Sequence, residues 1–386
     1  MSTSRYSSIF VLVILISVGC TVLANQDYNA ATQFHASYQY DEAVKSYTSA
    51  IQSKPDYYQA YAGRGITYAA VGQHQLAKDD YDTAVVLFFE DIKFNPEHEI
   101  TQQFFPESEV MATALWNRSL HNLHTQDFDL ANQDLDIFEQ VTNQSLPVNF
   151  YEQKALALTG KKEYQKALAF LDIAIELFPN NYEPYLVKGQ IYSELELPAT
   201  AIQFFTEGIK LVPSSSDMYF FRGQAYVDID EYERAIVNLE KSKYLGKKDF
   251  EMYFTLGGTY LESGDFYEAE NNYDLALKKN PTSWETYLNR SLVYMNTNQQ
   301  KKGLNDLNKS LELNTSSALA YSNRGAIYQE MGNHVQALQD FDRAINLDSN
   351  SAISYLGRAL SFSATGQVEL AEEDYIKACQ LDREYC

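Results

Sequence analysis

The stretches Gly189-Gln190-Ile191-Tyr192, Gly223-Gln224-Ala225-Tyr226 and Gly257-Gly258-Thr259-Tyr260 decide the fold, because each begins 34 residues after the one before it. The pattern returns as Gly325-Ala326-Ile327-Tyr328, after one repeat that has drifted to Ser291-Leu292-Val293-Tyr294. Twelve residues after each of these five starts stands a small residue: Ala201, Ala235, Ala269, Gly303 and Ala337. A period of this length indicates a solenoid of stacked repeats. Solenoids usually provide binding surfaces rather than catalytic pockets.

Each repeat has the pattern of two amphipathic helices, as residues 250–283 illustrate. Apolar and small residues first recur at helical spacing, namely Met252, Tyr253, Leu256, Gly257 and Tyr260. Ser263-Gly264-Asp265 then interrupts the helix. A second helical stripe follows, formed by Phe266, Ala269, Tyr273, Ala276 and Leu277. Asn280-Pro281 ends it, as proline commonly does just after a helix.

This unit resembles the tetratricopeptide repeat, in which Leu-Gly-x-x-Tyr, Ala-x-x-x-Phe, Ala and Pro recur every 34 residues. The resemblance is carried by Leu256, Gly257, Tyr260, Ala269, Tyr273, Ala276 and Pro281. With the glycine numbered as position 8, ten repeats begin at Ala24, Tyr58, Ala112, Val148, Tyr182, Ser216, Phe250, Trp284, Ala318 and Ala352. The resemblance implies an all-α fold, an α-solenoid or superhelix of about ten helix-turn-helix repeats.

The repeat spacing divides the chain into four parts. We predict a signal peptide over 1–24, repeats 1 and 2 over 25–91, an insert over 92–111 and repeats 3 to 10 over 112–386. The insert adds 20 residues between two repeat starts, and its prolines exclude one long helix through it. Its aromatic residues favour either a cover over neighbouring repeats or a flap that occupies the groove or a partner.

The first residues have the pattern of an export signal. Arg5 precedes the apolar run from Ile9 to Val18, which is too short to span a bilayer. Cleavage after Ala24 and lipidation at Cys20, within a bacterial lipobox-like Ser17-Val18-Gly19-Cys20, remain alternatives. Both predict an exported protein, either periplasmic or an outer-membrane lipoprotein, that contacts a membrane only through a lipid anchor.

Two further cysteines, Cys379 and Cys386, lie seven residues apart near the C-terminus. In a continuous helix they would be separated by about two turns, too far for a disulfide. Export places them where disulfides persist, and the helix can end before Cys386. A disulfide and two free thiols therefore both remain open.

Composition and motifs narrow the functional classes. The net charge of −22 argues against nucleic acid as a partner and suits a basic or neutral one, although charge also maintains solubility. We find no phosphate loop, zinc-protease motif or Cys-x-x-Cys, and the histidines lack a ligand pattern. The sequence therefore predicts no enzyme activity, no cofactor and no metal site.

Tyrosine is abundant, with 30 residues, but its placement follows the repeat. Eighteen tyrosines stand at positions 4, 11 and 24, among them Tyr47, Tyr81, Tyr273 and Tyr375 at position 24. We therefore expect these tyrosines to lie in the core rather than to stack on a carbohydrate or nucleotide.

The family resemblance implies a binding groove lined by positions 2, 5, 9 and 12 of each first helix. In repeats five to eight these positions predict an exposed apolar stripe edged by carboxylates, with partner-binding residues Phe220, Phe254, Leu288, Leu292, Glu251 and Glu285. First-turn acids also favour the helix dipole in their own right. Asn289 and Asn323, at position 6, lack the lysine and asparagine partners of the carboxylate clamp found in co-chaperone members. Their expected role is to bond a partner's backbone.

These patterns together predict a non-enzymatic scaffold or adaptor of a bacterial cell envelope. Its partner would be a protein or peptide with apolar and basic residues, held in the groove. Two alternatives remain open: a subunit that recruits or regulates an envelope enzyme, and a solenoid that binds a glycan or another polymer. Fold alone does not decide among them.

Overall fold

The computed structural model describes residues 21–94, 105–142 and 145–386. In these ranges the regular structure is helical throughout, with twenty α-helices, one short 3-10 helix and no β-strand. The all-α fold class expected from the repeats is confirmed. Residues 1–20 of the expected leader, Cys20 included, lie outside the described residues.

The helices form ten consecutive pairs, and we call the first helix of each pair helix A and the second helix B. The A helices are α1 (21–36), α3 (Tyr58–Ala70), α5 (Phe105–His124), α7 (Val148–Gly160), α9 (Glu183–Glu194), α11 (Ser216–Val227), α13 (Phe250–Ser263), α15 (Trp284–Asn296), α17 (Ala318–Glu330) and α19 (Ala352–Ala364). The B helices are α2 (Tyr40–Ser53), α4 (His74–Phe94), α6 (Phe128–Val141), α8 (Tyr164–Leu177), α10 (Pro198–Leu211), α12 (Tyr232–Tyr244), α14 (Phe266–Lys279), α16 (Gln300–Leu313), α18 (His334–Leu347) and α20 (Val368–Leu381).

The chain divides into two compact units, Met1–Ile191 and Tyr192–Cys386. In each unit the A and B helices of a pair pack together, and helix B packs on helix A of the following pair. Neighbouring A helices also contact each other, as α13 does with α11 and α15. Equivalent positions of successive A helices therefore share one face.

The turn inside each pair has the same backbone conformation in all ten repeats. Position 15 has a positive φ in each, with glycine in four of them, such as Gly264 (φ 83°), and another residue in six, such as Asn298 (φ 53°) and Asp230 (φ 57°). Left-handed backbone costs little for glycine and more for other residues. The shared turn shows that repeat geometry is kept where the consensus residue is missing.

Large side chains of helix B fill the space that small residues of helix A leave. Tyr273 is fully buried, and a Cβ on Gly257 would overlap its ring. Tyr47 and Tyr81 are also buried, as expected for position 24, but Tyr375 is 45% exposed, so that expectation is wrong there. Several tyrosines at positions 4 and 11 are half-buried and lie against arginine rather than deep in the core.

The predicted insert of residues 92–111 is helical at both of its ends. Helix α4 runs to Phe94 and has 21 residues, and α5 begins at Phe105 and has 20. Met111 is fully buried in the same core cluster as Tyr81 and Leu115. The extra residues thus lengthen two repeat helices, and residues 95–104 lie outside the described part.

Cys379 and Cys386 form a disulfide with their Cα atoms 4.8 Å apart. Helix α20 ends at Leu381, and the 3-10 helix Arg383–Tyr385 turns the chain back. The separation that a continuous helix would impose therefore does not apply. In the described part of the chain, no helix has both the length and the apolar character needed to cross a membrane.

Candidate functional site

The structure corrects the predicted groove first at Phe220. Its side chain is fully buried, in a cluster with Leu239, Met252 and Leu256. The prediction that Phe220 is exposed to a partner is therefore wrong. The reason is that position 5 of α11 turns into the junction between repeats, where the next A helix covers it.

The other three predicted apolar residues are buried to different extents. Leu288 is 5% exposed and packs with Leu307 and Leu311, so its assignment to an exposed stripe is also wrong. Phe254 is half-buried, with its ring centroid 6.2 Å from that of Tyr273. Leu292 is half-buried as well. Repeats five to eight therefore do not present the continuous apolar stripe that we expected.

Lys247, which sequence reasoning missed, covers part of this region. Its ammonium lies 4.6 Å from the Phe220 ring centroid and 2.9 Å from the Asp249 carboxylate. It also lies 3.8 Å from Asp217 and 3.9 Å from Glu251, and its side chain is only 15% exposed. A lysine in the loop after α12, where four other repeats have proline, was the available signal.

Carboxylates at position 2 of three successive A helices stay exposed, and we call Asp217, Glu251 and Glu285 the acidic edge. Lys247 spans the first two of them. Glu285 accepts a 3.2 Å hydrogen bond from the Ser283 hydroxyl at the start of α15. The structure therefore places Glu251 and Glu285 on one accessible face.

The exposed apolar residues of this face lie in repeats nine and ten. Position 2 there holds Leu319 (52% exposed) and Ile353 (53% exposed) in place of acids. The half-buried Leu356 lies one turn from Ile353. We call Leu319, Ile353 and Leu356 the apolar stripe; it follows the acidic edge along the same face of the A helices. Exposed apolar residues that adjoin one another commonly mark partner sites.

Asn289 and Asn323 both stand at position 6 of their helices but differ in burial. Asn289 is half-buried, whereas Asn323 is 8% exposed. Among the described residues, the Asn323 Nδ2 atom has no hydrogen-bond partner. A buried amide nitrogen without a partner has lost its hydration. Because the Asn323 Nδ2 atom has no accessible surface, the structure does not support the expected bond from Asn323 to a partner's backbone.

The arginine beside each of these asparagines has a structural role that the sequence analysis overlooked. Arg290 donates from Nε and Nη2 to both oxygens of Asp306, at 2.7 Å each, and from Nη1 to Asp274 of the preceding repeat. Arg324 and Arg358 repeat this arrangement with Asp340 and Asp374. A cation at position 7 thus joins position 23 of its own repeat to position 25 of the repeat before. We call this series of links the position-7 ladder.

The ladder continues in several variants across both units. Arg64 and Arg118 pair with Asp80 and Asp134, and Lys188 donates to Asp172 at 2.6 Å. Arg222 donates instead to uncharged Asn238 and Thr206, and burial lowers its pKa. Acids spaced at positions 23 and 25 were the sequence signal for these links.

In the first unit, position 5 of α7 holds Glu152, an acidic residue that is partly buried, unlike the exposed carboxylates of the acidic edge. Its Oε1 atom is buried and has no hydrogen-bond partner among the described residues. Burial raises the pKa of Glu152 to about 7, with a contribution from the Glu183 carboxylate. This position therefore gains negative charge as the pH rises through neutrality. In the described residues, no group of three or more His, Cys, Asp or Glu side chains could hold a metal ion.

Comparison with solved structures finds other helical-repeat proteins. YrrB, described as a TPR protein with an unusual peptide-binding site, is 21% identical over 48% of this chain and 95% of its own, with a TM-score of 0.44. Yeast Tom70 is 18% identical over 93% of this chain and 85% of its own, with a TM-score of 0.41. Cut9 in the APC/C Cut9–Hcn1 hetero-tetramer is 12% identical over 93% of this chain and 94% of its own, with a TM-score of 0.46. No curated protein matches the chain.

Family models give the more specific result. Tetratricopeptide repeat models match residues 182–214, 216–247, 250–283, 285–317, 318–351 and 352–385. These matches cover about half of the chain and coincide with helix pairs α9–α10 to α19–α20. The chain therefore belongs to the tetratricopeptide repeat family.

Proposed function

We propose that this protein is a non-enzymatic scaffold that binds a partner segment along the A-helix face of its second unit. The observation that carries the proposal is the order of groups on that face. The acidic edge on α11, α13 and α15 leads into the apolar stripe on α17 and α19. The partner segment would therefore carry basic residues next to apolar ones.

Each part of the face contributes a different interaction. Exposed carboxylates attract a basic segment over several ångströms and speed its association, an effect that salt weakens. Leu319 and Ile353 offer apolar surface whose burial stabilises the complex by about 25 cal/mol per Å² removed from water.

We place this scaffold in a bacterial cell envelope, on the evidence of the leader residues. Ala24 is fully buried in a cluster with Ala43 and Tyr47, within helix α1. Cleavage after Ala24 would remove this buried residue, whereas processing at Cys20 would keep it, so its burial favours the lipoprotein alternative. Intact-mass measurement of protein from its native cells tests this: a Met1 start would refute export.

Peptide display on the intact chain tests the binding proposal. We expect enriched peptides to combine Lys or Arg with a neighbouring run of apolar residues. A triple variant, Asp217→Asn, Glu251→Gln and Glu285→Gln, should bind these peptides at least tenfold more weakly. The matched control neutralises three exposed B-helix acids, Glu207→Gln, Glu233→Gln and Glu312→Gln, and should bind within twofold of the native chain. Enrichment of acidic peptides, or equal loss in both triple variants, would refute the proposal.

A further inference from the structure

At three junctions between repeats, an aromatic residue at position 24 of helix B meets a glycine or an asparagine at position 6 of the next helix A. A Cβ on Gly357 of α19 would overlap the Phe341 ring of α18, and a Cβ on Gly63 of α3 would overlap the Tyr47 ring of α2. At a third junction, Asn117 of α5 donates to the Tyr81 hydroxyl at 3.3 Å. In these three cases a small or polar residue leaves room for the ring, whereas Phe205 of α10 stacks on Phe221 of α11 with ring centroids 6.1 Å apart.

Helix α20 presents the same surface without such a helix upon it. Tyr375, at position 24, is 45% exposed, whereas Phe341 at the equivalent place is 2% exposed. Around it lie Val368 (56% exposed) and Ile376 (57% exposed), and with Leu360 of α19 these residues line a shallow apolar groove. We call Leu360, Val368, Tyr375 and Ile376 the end face.

One residue of the end face departs from the pattern of all other repeats. Position 25 is polar in the first nine, where it holds Thr48, Asp82, Asp136, Asp172, Thr206, Glu240, Asp274, Asn308 and Asp342. In the tenth it is Ile376. An arginine at position 7 of a further repeat would therefore find no acceptor there. The end face is suited to a helix that has an apolar or small residue where these repeats carry a cation.

Helix α1, the first described helix, carries polar residues at the places that would meet such a surface. On α1 the positions that interior A helices use to pack on a preceding helix B hold Gln26, Asn29 and Gln33, and all three are exposed. The apolar end face of α20 is therefore not matched by α1 of a second copy.

Charges around the groove indicate which helix would fit. Glu369, Glu372 and Glu373 of α20 are exposed, and Glu372 lines the groove itself. Lys377 is the exposed cation of the same helix. Two end faces set against each other would bring these carboxylates together, which disfavours a symmetric dimer.

From these observations we infer that the end face binds an amphipathic α-helix of a partner protein, with an apolar face flanked by Lys or Arg. A glycine or asparagine of that helix lies against Tyr375, as Gly357 lies against Phe341. This site adjoins the apolar stripe, because Leu360 lies one helical turn after Leu356 on α19. Its α20 residues belong to neither the acidic edge nor the apolar stripe, so they add a second place of attachment to the scaffold.

The test uses the intact chain and a synthetic 18-residue helical peptide of Ala, Leu and Lys, with one central Gly on its Leu face. We expect fluorescence anisotropy to show that the native chain binds this peptide. The double variant Val368→Asp with Ile376→Asp should bind it at least tenfold more weakly. The matched control, Val237→Asp with Val335→Asp, alters equally exposed valines of other B helices and should bind within twofold. Replacing the peptide's Lys by Glu, or its Gly by Leu, should weaken binding at least tenfold.

Three results would overturn the inference. The end-face variant could bind as tightly as the native chain, or the Glu peptide as tightly as the Lys peptide. Light scattering could also show a dimer that Val368→Asp with Ile376→Asp converts to a monomer, which would make a second copy the occupant. The triple variant of the acidic edge should still bind this peptide, so a failure of the proposed function is distinguishable from a failure of this inference.

Discussion

Repeats seven (α13–α14) and eight (α15–α16) are neighbours in one unit and carry different kinds of residue at position 7. In repeat seven this position is Leu256, fully buried among Phe220, Leu239 and Met252. In repeat eight it is Arg290, which donates to both carboxylate oxygens of Asp306 and to Asp274. The same backbone thus accepts an apolar contact or a charged link at one junction position.

The surrounding residues change together with position 7. Asn272 takes the place of the ladder aspartate in repeat seven, and its amide donates to the Glu268 carbonyl at 2.8 Å. Glu240, which no position-7 arginine reaches, accepts from the Tyr260 hydroxyl at 3.1 Å. The exposed acid at position 2 is the same in both repeats, as Glu251 and Glu285. The interior can vary while this surface charge is kept, which supports a role for the charge outside packing.

The largest expected effect comes from breaking the link in repeat eight. Arg290→Ala leaves the Asp306 side chain, 8% exposed, without its cation, and should lower the free energy of unfolding by about 3–5 kcal/mol. Urea denaturation measures this loss. Arg290→Ala with Asp306→Asn removes the buried charge and should recover at least half of it. If the double variant is as unstable as the single one, the charge is not what the arginine stabilises.

A second prediction moves the link into repeat seven. Asn272→Asp alone buries an unpaired carboxylate and should cost about 2–3 kcal/mol. Adding Leu256→Arg supplies a guanidinium that can donate to both oxygens of the introduced carboxylate. Glu240 is already present at position 25 of the preceding repeat as a second acceptor. The double variant should therefore be more stable than Asn272→Asp, and a double-mutant cycle gives the coupling. If the losses in free energy of unfolding from the two single substitutions simply add in the double variant, repeat seven cannot form the charged link of repeat eight.

The two repeats should also differ in their response to pH. Burial raises the pKa of Asp306, and the Arg290 guanidinium opposes that rise. Because the folded pKa lies above the unfolded one, stability is lost as the pH rises between the two values. Arg290→Ala removes the opposing guanidinium and so raises the folded-state pKa of Asp306 further. The free energy of unfolding that this variant loses relative to the native chain should therefore be greater at pH 7 than at pH 4, by about 1 kcal/mol or more. Leu256→Ala, in a repeat whose position 23 is the neutral Asn272, should lower the free energy of unfolding equally at both pH values. A parallel pH response of the two variants would contradict this.

The smallest effect concerns the turn at position 15. Asn298→Gly removes left-handed strain from repeat eight and should raise stability by about 0.5 kcal/mol, whereas Gly264→Ala in repeat seven should cost about 1 kcal/mol. Thermal unfolding distinguishes the two signs. A loss in Asn298→Gly would mean that the asparagine side chain has a further role.

Periodicity was sufficient to predict the helix pairs, because small and aromatic residues recur where helices must approach. It was not sufficient to assign the groove. Phe220 and Phe254 share position 5, yet one is fully buried against Met252 and Leu256 of the next A helix and the other is half-buried, and the shared position does not reveal this difference. The position-7 ladder joins residues 16 apart in sequence on different helices, and a search confined to one helix face does not detect it.

Where the partner lies is the claim on which the proposed function depends most. Methyl NMR of the intact chain with a display-selected peptide tests it directly. The exposed methyl groups of Leu319 and Ile353, on the A-helix face, should shift on binding, while those of Val237 and Val335, equally exposed on B helices, should not. Shifts confined to the valines, or spread equally over both pairs, would contradict the account.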